Sequence, residues 1–398
     1  MGDFFQNGVV TTLQDFRIRE YEDLDQKMKN LSKRRNMVLI LPALYSEFET
    51  PAMTRIVEEL KEVSYLYKIV LGLDDATKKQ FEHVKQIMSE LPSRVDILWN
   101  DGDSISPLYD EIAAAGFTSA DIRGKGRNVW MCIGYTMTDP NAYAIAVHDC
   151  DIANYKKDMV AKLLYPVVHP ALDYEFNKGY YSRVDNGLNG RATRLFYTPL
   201  IRSLKKVVGS NAYLEYMDSF RYALSGEFAF IRPMARGIRI SPTWGLEVST
   251  LSEVYENTTV NRICQTEIAD NFTHKHQGLS DISRMAGDIA QTIFRILSQQ
   301  GVVFSEAIFK SLTSTYVNEA IRTITKYNAV SKINGLDYNR GEEIRGVESF
   351  TSLLTDASEA FLKDPLGVPA LSSWVTVRGV LPEFADKLEA AVQADNRE

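Results

Sequence analysis

The sequence predicts an α/β fold, a doubly wound and mainly parallel sheet with helices on both faces, followed by a helical C-terminal region. Three observations predict it. Between Met37 and Val147, short apolar runs of strand length alternate with segments whose apolar residues recur at helical spacing. The clearest of those runs, Ala142-Tyr143-Ala144-Ile145-Ala146-Val147, leads into His148-Asp149-Cys150-Asp151, so two carboxylates fall where an open α/β sheet keeps its ligand crevice. From Ser283 onward the strand pattern stops and helical segments take over.

Residues 1–36 mix acids, bases and scattered apolar positions and read as a helical or partly ordered lead-in. Residues 37–41 form an apolar strand closed by Pro42, and 53–63 carry helical spacing. A second strand covers 68–73, and Asp74-Asp75-Ala76-Thr77 caps a helix through Phe81, Val84 and Ile87. A third strand covers 95–99. A polar loop follows, and residues 126–135 are helical before the strand at Ala142. Beyond Lys156 the pattern loosens. Residues 174–194, rich in Gly, Asn, Arg and Tyr, read as a functional loop rather than packed structure. Strands are expected again at 228–231 and 237–240, then helices at 285–297, 306–327, 348–362 and 382–392.

At 398 residues the chain exceeds the usual size of one core. The expected division is a lead-in (1–36), an α/β domain (37–280) and a helical region (281–398) serving as dimerisation element or lid. No apolar run approaches the roughly 20 residues that span a bilayer, and Met1-Gly2-Asp3-Phe4-Phe5-Gln6 lacks the features of a signal peptide. No membrane partner and a cytoplasmic location are the expectation. A net charge of −7 argues against a general nucleic-acid binder, which needs a basic face for phosphate contacts. Cys132, Cys150 and Cys264 are widely spaced, match no metal or disulfide framework and read as inert buried thiols.

Asp-x-Asp occurs three times, at Asp23/Asp25, Asp101/Asp103 and Asp149/Asp151. Only the third follows a buried-looking strand; the others read as a solvated helix face and a turn. Two carboxylates leaving a sheet edge call for a hard divalent cation, which fills its remaining positions with water and phosphate and so points to a diphosphate ligand. Gly124-Lys125-Gly126 offers close backbone approach and a point charge for phosphate, or else a plain turn. Gly190-Arg191-Ala192-Thr193 has a backbone donor, a guanidinium fork and a hydroxyl suited to a small anion, or else starts a helix with an exposed Arg. In His274-Lys275-His276 one imidazole could join Asp151 at a cation, or remain solvated. Glu247, set among apolar neighbours, must be paired, hydrogen-bonded or shifted in pKa, with a structural N-cap as the alternative.

Read in order, Pro42-Ala43-Leu44, Gly124-Lys125-Gly126, Asp149-x-Asp151, Gly190-Arg191-x-Thr193, Gly226-Glu227, Gly245-Leu246-Glu247 and His274 resemble the motif series of the glucosyl-3-phosphoglycerate synthases. These are retaining glycosyltransferases of the GT-A fold, with the mannosyl-3-phosphoglycerate synthases as close relatives. The resemblance spans roughly residues 37–300.

It implies that Pro42, Ala43 and Leu44, with Glu47 nearby, hold the uracil and ribose of a nucleotide sugar, and that Lys125 lies against the nucleotide end. Asp149 would reach the ribose or metal, and Asp151 and His274 would bind Mg²⁺ or Mn²⁺ together with the diphosphate. Gly190, Arg191 and Thr193 would grip 3-phosphoglycerate, with His276 standing where relatives place an Asn that also meets the acceptor. Glu247 would lie beside the sugar and, with Asp151, carry the catalytic role. The implied reaction moves glucose from UDP- or GDP-glucose to the 2-hydroxyl of 3-phosphoglycerate in a homodimer. A GDP-mannose donor on the same fold and a nucleotidyltransferase that releases pyrophosphate are the competing expectations.

Overall fold

The computed structural model describes residues 6, 8–14, 21–273 and 279–397. Within them, eight strands form one sheet: β1 (Thr11–Leu13), β2 (Asn36–Leu44), β3 (Lys68–Asp74), β4 (Arg94–Trp99), β5 (Ala142–Val147), β6 (Phe176–Ser182), β7 (Phe228–Ile231) and β8 (Ile263–Asn271). Their order across the sheet is β1-β8-β6-β7-β5-β2-β3-β4. Every neighbouring pair is parallel except those made by β7, which runs antiparallel to both β5 and β6.

Both faces of the sheet are covered, and the strand pleat shows it. Val38 and Ile40 of β2 and Ile145 and Val147 of β5 enter one apolar core, while Met37, Leu39 and Leu41 with Ala144 and Ala146 enter a second. The expected alternation holds through the first half, where helices Pro51–Leu60, Lys78–Met88 and Lys125–Thr138 connect the strands. Thr77 caps the second of these, accepting from the Gln80 backbone while the Gln80 side chain returns to the Thr77 backbone. Strand order reverses between β2 and β5, which sets the carboxyl ends of those two strands at the place where open sheets bind ligands.

The structure corrects several expectations. Pro42 does not close β2 but lies inside it, paired with Gly72. Pairing with β5 has already ended at Ile40–Val147, with His148 N donating to Ile40 O, so the N–H that proline lacks would have faced an opening rather than a ladder. The polar loop after β4 contains a helix, Ser106–Ala114. Much of the expected loop at 174–194 is β6, a strand buried inside the sheet. No strand forms at 237–240; Gly237 ends the helix Arg232–Gly237, and Ile240 makes an isolated bridge to Leu371. The lead-in supplies β1, parallel to β8, and the helix Tyr21–Ser32.

The C-terminal helices Leu279–Gln299, Glu306–Ile333, Arg340–Lys363, Trp374–Val380 and Phe384–Arg397 pack back onto the sheet's helices and share their core. Trp374 stacks on Trp130 with ring centroids 4.3 Å apart. Each indole N–H is satisfied by backbone, Trp374 donating to Trp130 O and Trp130 to Ser372 O, both at 2.8 Å. None of the described helices is long and apolar enough to cross a membrane.

Candidate active site

Two cavities open along the carboxyl edge of the sheet and share a wall. The first is lined by Pro42, Ala43, Leu44 and Glu47 after β2, by Asp74 and Asp75 after β3, and by Arg123, Lys125 and Asn128. The second is lined by Tyr181 and Arg183 after β6, by Gly190, Arg191 and Thr193, and by Tyr222, Gly226 and Glu247. Lys125, Asp149, Asp151 and Trp244 belong to both.

That shared wall is assembled by a close approach of two backbones. A Cβ on Gly126 would lie 1.9 Å from Ser241 O, and one on Gly124 would lie 2.6 Å from Pro242 O. Arg127 N donates to Pro242 O at 3.0 Å across the same seam. The two glycines therefore admit a segment of chain, and the closeness carries Lys125 to Glu247 in the first turn of the helix Leu246–Asn257. Lys125 Nζ stands 2.6 Å from Asp149 Oδ1 and 3.0 Å from Glu247 Oε1. Burial disfavours its charge, but the Asp149 and Glu247 carboxylates outweigh burial and hold the ammonium protonated well above the usual lysine range. Glu247 is thus a buried and paired carboxylate, one of the two expectations for it.

Asp149 is fixed from its other side by the Gly226-Glu227 turn. A Cβ on Gly226 would fall 2.3 Å from the Asp149 carboxylate oxygens, so only glycine leaves that carboxylate in place. Glu227, fully buried, accepts from Tyr181 Oη at 2.8 Å and lies 3.5 Å from Asp149 N.

Glu47 turns back to accept from Leu44 N at 3.1 Å. Burial first, then the Asp151 and Asp149 charges, push its carboxyl up to about 8. Glu47, Asp149 and Asp151 line one cavity together, a set of carboxyl oxygens that suits a hard divalent cation. Among the described residues no three ligating side chains already stand in a metal-binding group. His274 and His276 lie outside the described residues, so the expected pairing of Asp151 with His274 has no geometry here.

In the second cavity Gly190 has φ +71° and precedes Arg191, at the N-terminus of a helical stretch whose first part, Ala192–Tyr197, is π-helical. The Thr193 hydroxyl is buried without a hydrogen-bond partner among the described residues. Arg191 is engaged elsewhere, donating to Glu343 Oε1 at 2.9 Å and to Glu342 Oε2 at 3.2 Å on the helix Arg340–Lys363. Arg194 donates to the same Glu343 at 2.8 Å, and Asp337 N donates to Asn186 O at 2.8 Å. A C-terminal helical hairpin therefore sets the position of the whole segment.

Sequence reasoning singled out Lys125, Asp149 and Asp151 of the shared wall, without their pairing, and missed several neighbours. Asn128, one helical turn after Lys125, donates to Gly72 O and to Asp74 Oδ2, both at 2.9 Å; its spacing from Lys125 was the available signal. Arg123 pairs with Asp101, whose other oxygen accepts from Ala76 N. Asp101 thus lies in a turn, as expected, and its carboxylate holds Arg123, which lines the first cavity. Trp244, Arg183 and Tyr222 carried no local signal. All three cysteines are buried, and burial raises the Cys150 thiol well above its usual range.

No family model matches the chain. Over its full length it is 59% identical to glucosyl-3-phosphoglycerate synthase of Persephonella marina, covering 99% of that protein. It is 36% identical to the protein of the same description from Methanococcoides burtonii, covering 98% of it. Among solved structures, glucosyl-3-phosphoglycerate synthase from Mycobacterium tuberculosis in complex with Mn²⁺, UDP-glucose and phosphoglyceric acid is similar in fold. Its TM-score is 0.52 at 17% identity, over 74% of this chain and 89% of that one. With a GT-A sheet, two cavities meeting at Lys125 and Asp149, and full-length relatives well above the level of chance, the chain belongs to the glucosyl-3-phosphoglycerate synthase family of glycosyltransferases.

Proposed function

We propose that this protein transfers glucose from a nucleotide-diphosphate glucose to the 2-hydroxyl of 3-phosphoglycerate, with a divalent Mg²⁺ or Mn²⁺ ion and with retention at the anomeric carbon. One observation carries the proposal: two cavities of different character share a wall made by Lys125, Asp149, Asp151 and Trp244, as a donor and an acceptor must share a reaction centre. The 59% identical relative carries the corresponding name. UDP-glucose is the donor we assign, the sugar nucleotide held by the Mycobacterium tuberculosis enzyme.

Pro42, Ala43, Leu44 and Glu47 form the floor and rim that would take the base and ribose. Asp149 and Asp151, with His274, would hold the ion, which when bound supplies Lewis-acid stabilisation to the leaving diphosphate. Lys125 pairs with both Asp149 and Glu247 and so holds the two carboxylates at the junction of the cavities. Gly190, Arg191, Thr193 and His276 would orient the acceptor, and positioning of two reactants can supply on the order of 7 kcal/mol of barrier lowering. Glu247 lines the second cavity against Lys125 of the shared wall, placed to hold sugar hydroxyls rather than to act as a free nucleophile. The acceptor hydroxyl would therefore attack on the face from which the diphosphate departs. A bond from the anomeric carbon to the acceptor oxygen forms as the bond to diphosphate breaks, and the hydroxyl proton passes to a diphosphate oxygen.

Mass spectrometry of products from UDP-glucose, GDP-glucose and GDP-mannose, each with 3-phosphoglycerate and with glycerate, tests the assignment. A glucosylated phosphoglycerate, lost on chelation and restored by Mn²⁺, is expected. Pyrophosphate release from nucleoside triphosphates with no sugar transfer would replace the proposal with a nucleotidyltransferase. Glu247→Gln should slow turnover about 100-fold, in the range of losing one preorganised polar contact.

A further inference from the structure

The acceptor in the proposed function is small and carries two anions, a phosphate at one end and a carboxylate beside the reacting 2-hydroxyl. Among the described residues, three cationic side chains line the second cavity, Lys125, Arg183 and Arg191. Lys125 is committed to Asp149 and Glu247, and Arg191 to Glu342 and Glu343. Arg183 differs. Its Nη1 donates only to a neutral phenol, Tyr222 Oη at 3.1 Å, and its Nε–H is buried without a partner among the described residues. A guanidinium edge left without an acceptor in a partly desolvated cavity is costly unless a ligand completes it.

Its position is fixed rather than fortuitous. Arg183 O accepts from Asn189 N at 2.9 Å, closing the turn that leads to Gly190, and a Cβ on Gly190 would sit 3.8 Å from Arg183 Cδ. Tyr222, which orients the guanidinium, is itself stacked at a tilt against Tyr181 with centroids 5.0 Å apart. The side chain thus lines the cavity beside Gly190, within reach of the Asp151 charge on the same cavity's lining.

We infer that Arg183 is a specificity-determining residue that takes the carboxylate of a 2-hydroxy acid acceptor, leaving the phosphate to the segment around Gly190 and Thr193. The division follows from the acceptor's own geometry. The carboxylate adjoins the carbon bearing the reacting hydroxyl and must lie on the Asp151 side, whereas the phosphate lies one carbon further away. The helix N-terminus with its unpartnered Thr193 hydroxyl suits a phosphate dianion, and the planar guanidinium suits a carboxylate.

The inference rests on the proposed function, and calorimetric titration of the full-length protein, loaded with UDP and Mn²⁺, separates the two. The probes are 3-phosphoglycerate and glycerol 3-phosphate, which lacks the carboxylate. Arg183→Gln should weaken 3-phosphoglycerate binding about 30-fold or more and glycerol 3-phosphate binding less than about 3-fold, as loss of one charge-assisted fork predicts. Arg183→Lys, which keeps the charge and loses the fork, should show the same selectivity at about 5-fold. If Arg183→Gln fails to fold, as its melting curve would reveal, the ratio in Arg183→Lys decides. Equal weakening of both probes, or of neither, overturns the inference while the wild type still glucosylates 3-phosphoglycerate. A wild type that forms no glucosylated product overturns the function, and the inference with it.

Discussion

Pro42, Glu47, Asp74 and Lys125 reach the first cavity from consecutive strand-helix units of the parallel half-sheet, each unit close in sequence to the next. Arg183, Gly190, Arg191 and Thr193 reach the second from a segment whose position depends on a helix far along the chain, with Arg191 and Glu343 separated by 152 residues. The first cavity is made by local folding that ends at strand tips; the second is made by tertiary contact. Its shape is therefore adjustable through residues that touch no ligand, and substitutions in the C-terminal helices should act on one cavity and spare the other.

The largest effect is expected where the two meet. Lys125→Met leaves Asp149 and Glu247 with no cation between them, so like charges face each other in a partly buried wall. Turnover should fall about 1,000-fold, equivalent to about 4 kcal/mol of transition-state stabilisation. Steady-state kinetics on folded protein checks it, and a loss under about 10-fold would mean that the shared wall is scaffolding.

Glu343→Gln separates the cavities more sharply. Glu343 is 3% exposed and accepts from Arg191 and Arg194, and those guanidiniums together hold its carboxyl below the usual range against the opposing effect of burial. Removing its charge leaves Arg194 without a carboxylate and Arg191 with Glu342 alone among the described residues, at a cost of about 3 kcal/mol in denaturant unfolding. The KM for 3-phosphoglycerate should rise several-fold while the KM for the sugar nucleotide stays put. Parallel changes in both would erase the distinction between the two halves.

The same contrast explains what could be read from the sequence. The strand at Ala142–Val147 and the Thr77 cap were legible because alternation and capping chemistry are local signals, whereas Lys125, Asp149 and Glu247 were singled out one by one and their ion pairing was not foreseen. Strand β6 was not. Its segment Phe176–Ser182 carries Asn177 and Lys178, polar residues that look exposed but are fully buried and satisfied by Leu163 O and Ser225 O from remote elements. The antiparallel sense of β7 is likewise set by partners on both sides rather than by its own residues. Arg183 sat inside a stretch read as loop, and nothing nearby in sequence marks Tyr222 as its partner.

Lys178 supplies a pH test of that buried strand. Burial lowers its ammonium to about 8, against the pull of Glu247 and Glu227, while Nζ donates to Ser225 O at 2.6 Å. Below pH 8 the group is charged in folded and unfolded chains alike and the burial penalty is felt in full. Between about 8 and 10.5 only the unfolded chain keeps the proton. Stability relative to Lys178→Met should therefore rise with pH across that window, by about 3 kcal/mol in all. Chemical denaturation at several pH values reads it directly, and a flat difference would mean that water reaches the ammonium.

The smallest effect probes whether the C-terminal tail also steadies the locally built half. Strand β4 is the last in its direction across the sheet, and an open edge there would leave backbone groups available to other chains. Asn396 on the helix Phe384–Arg397 closes it, accepting from Ile97 N at 2.9 Å and donating to Ile97 O at 2.7 Å, much as another strand would. Asp395 adds bonds to Ser104 and Lys85 on flanking elements. Asn396→Ala should cost only about 1 kcal/mol, the net worth of such bonds, yet speed hydrogen exchange at Ile97 by about 5-fold. Exchange at Val38 and Ile145 in the sheet centre should not change, because those amides open only with the whole fold. If it did change, β4 and its tail would belong to the same cooperative unit as the strands bearing the site.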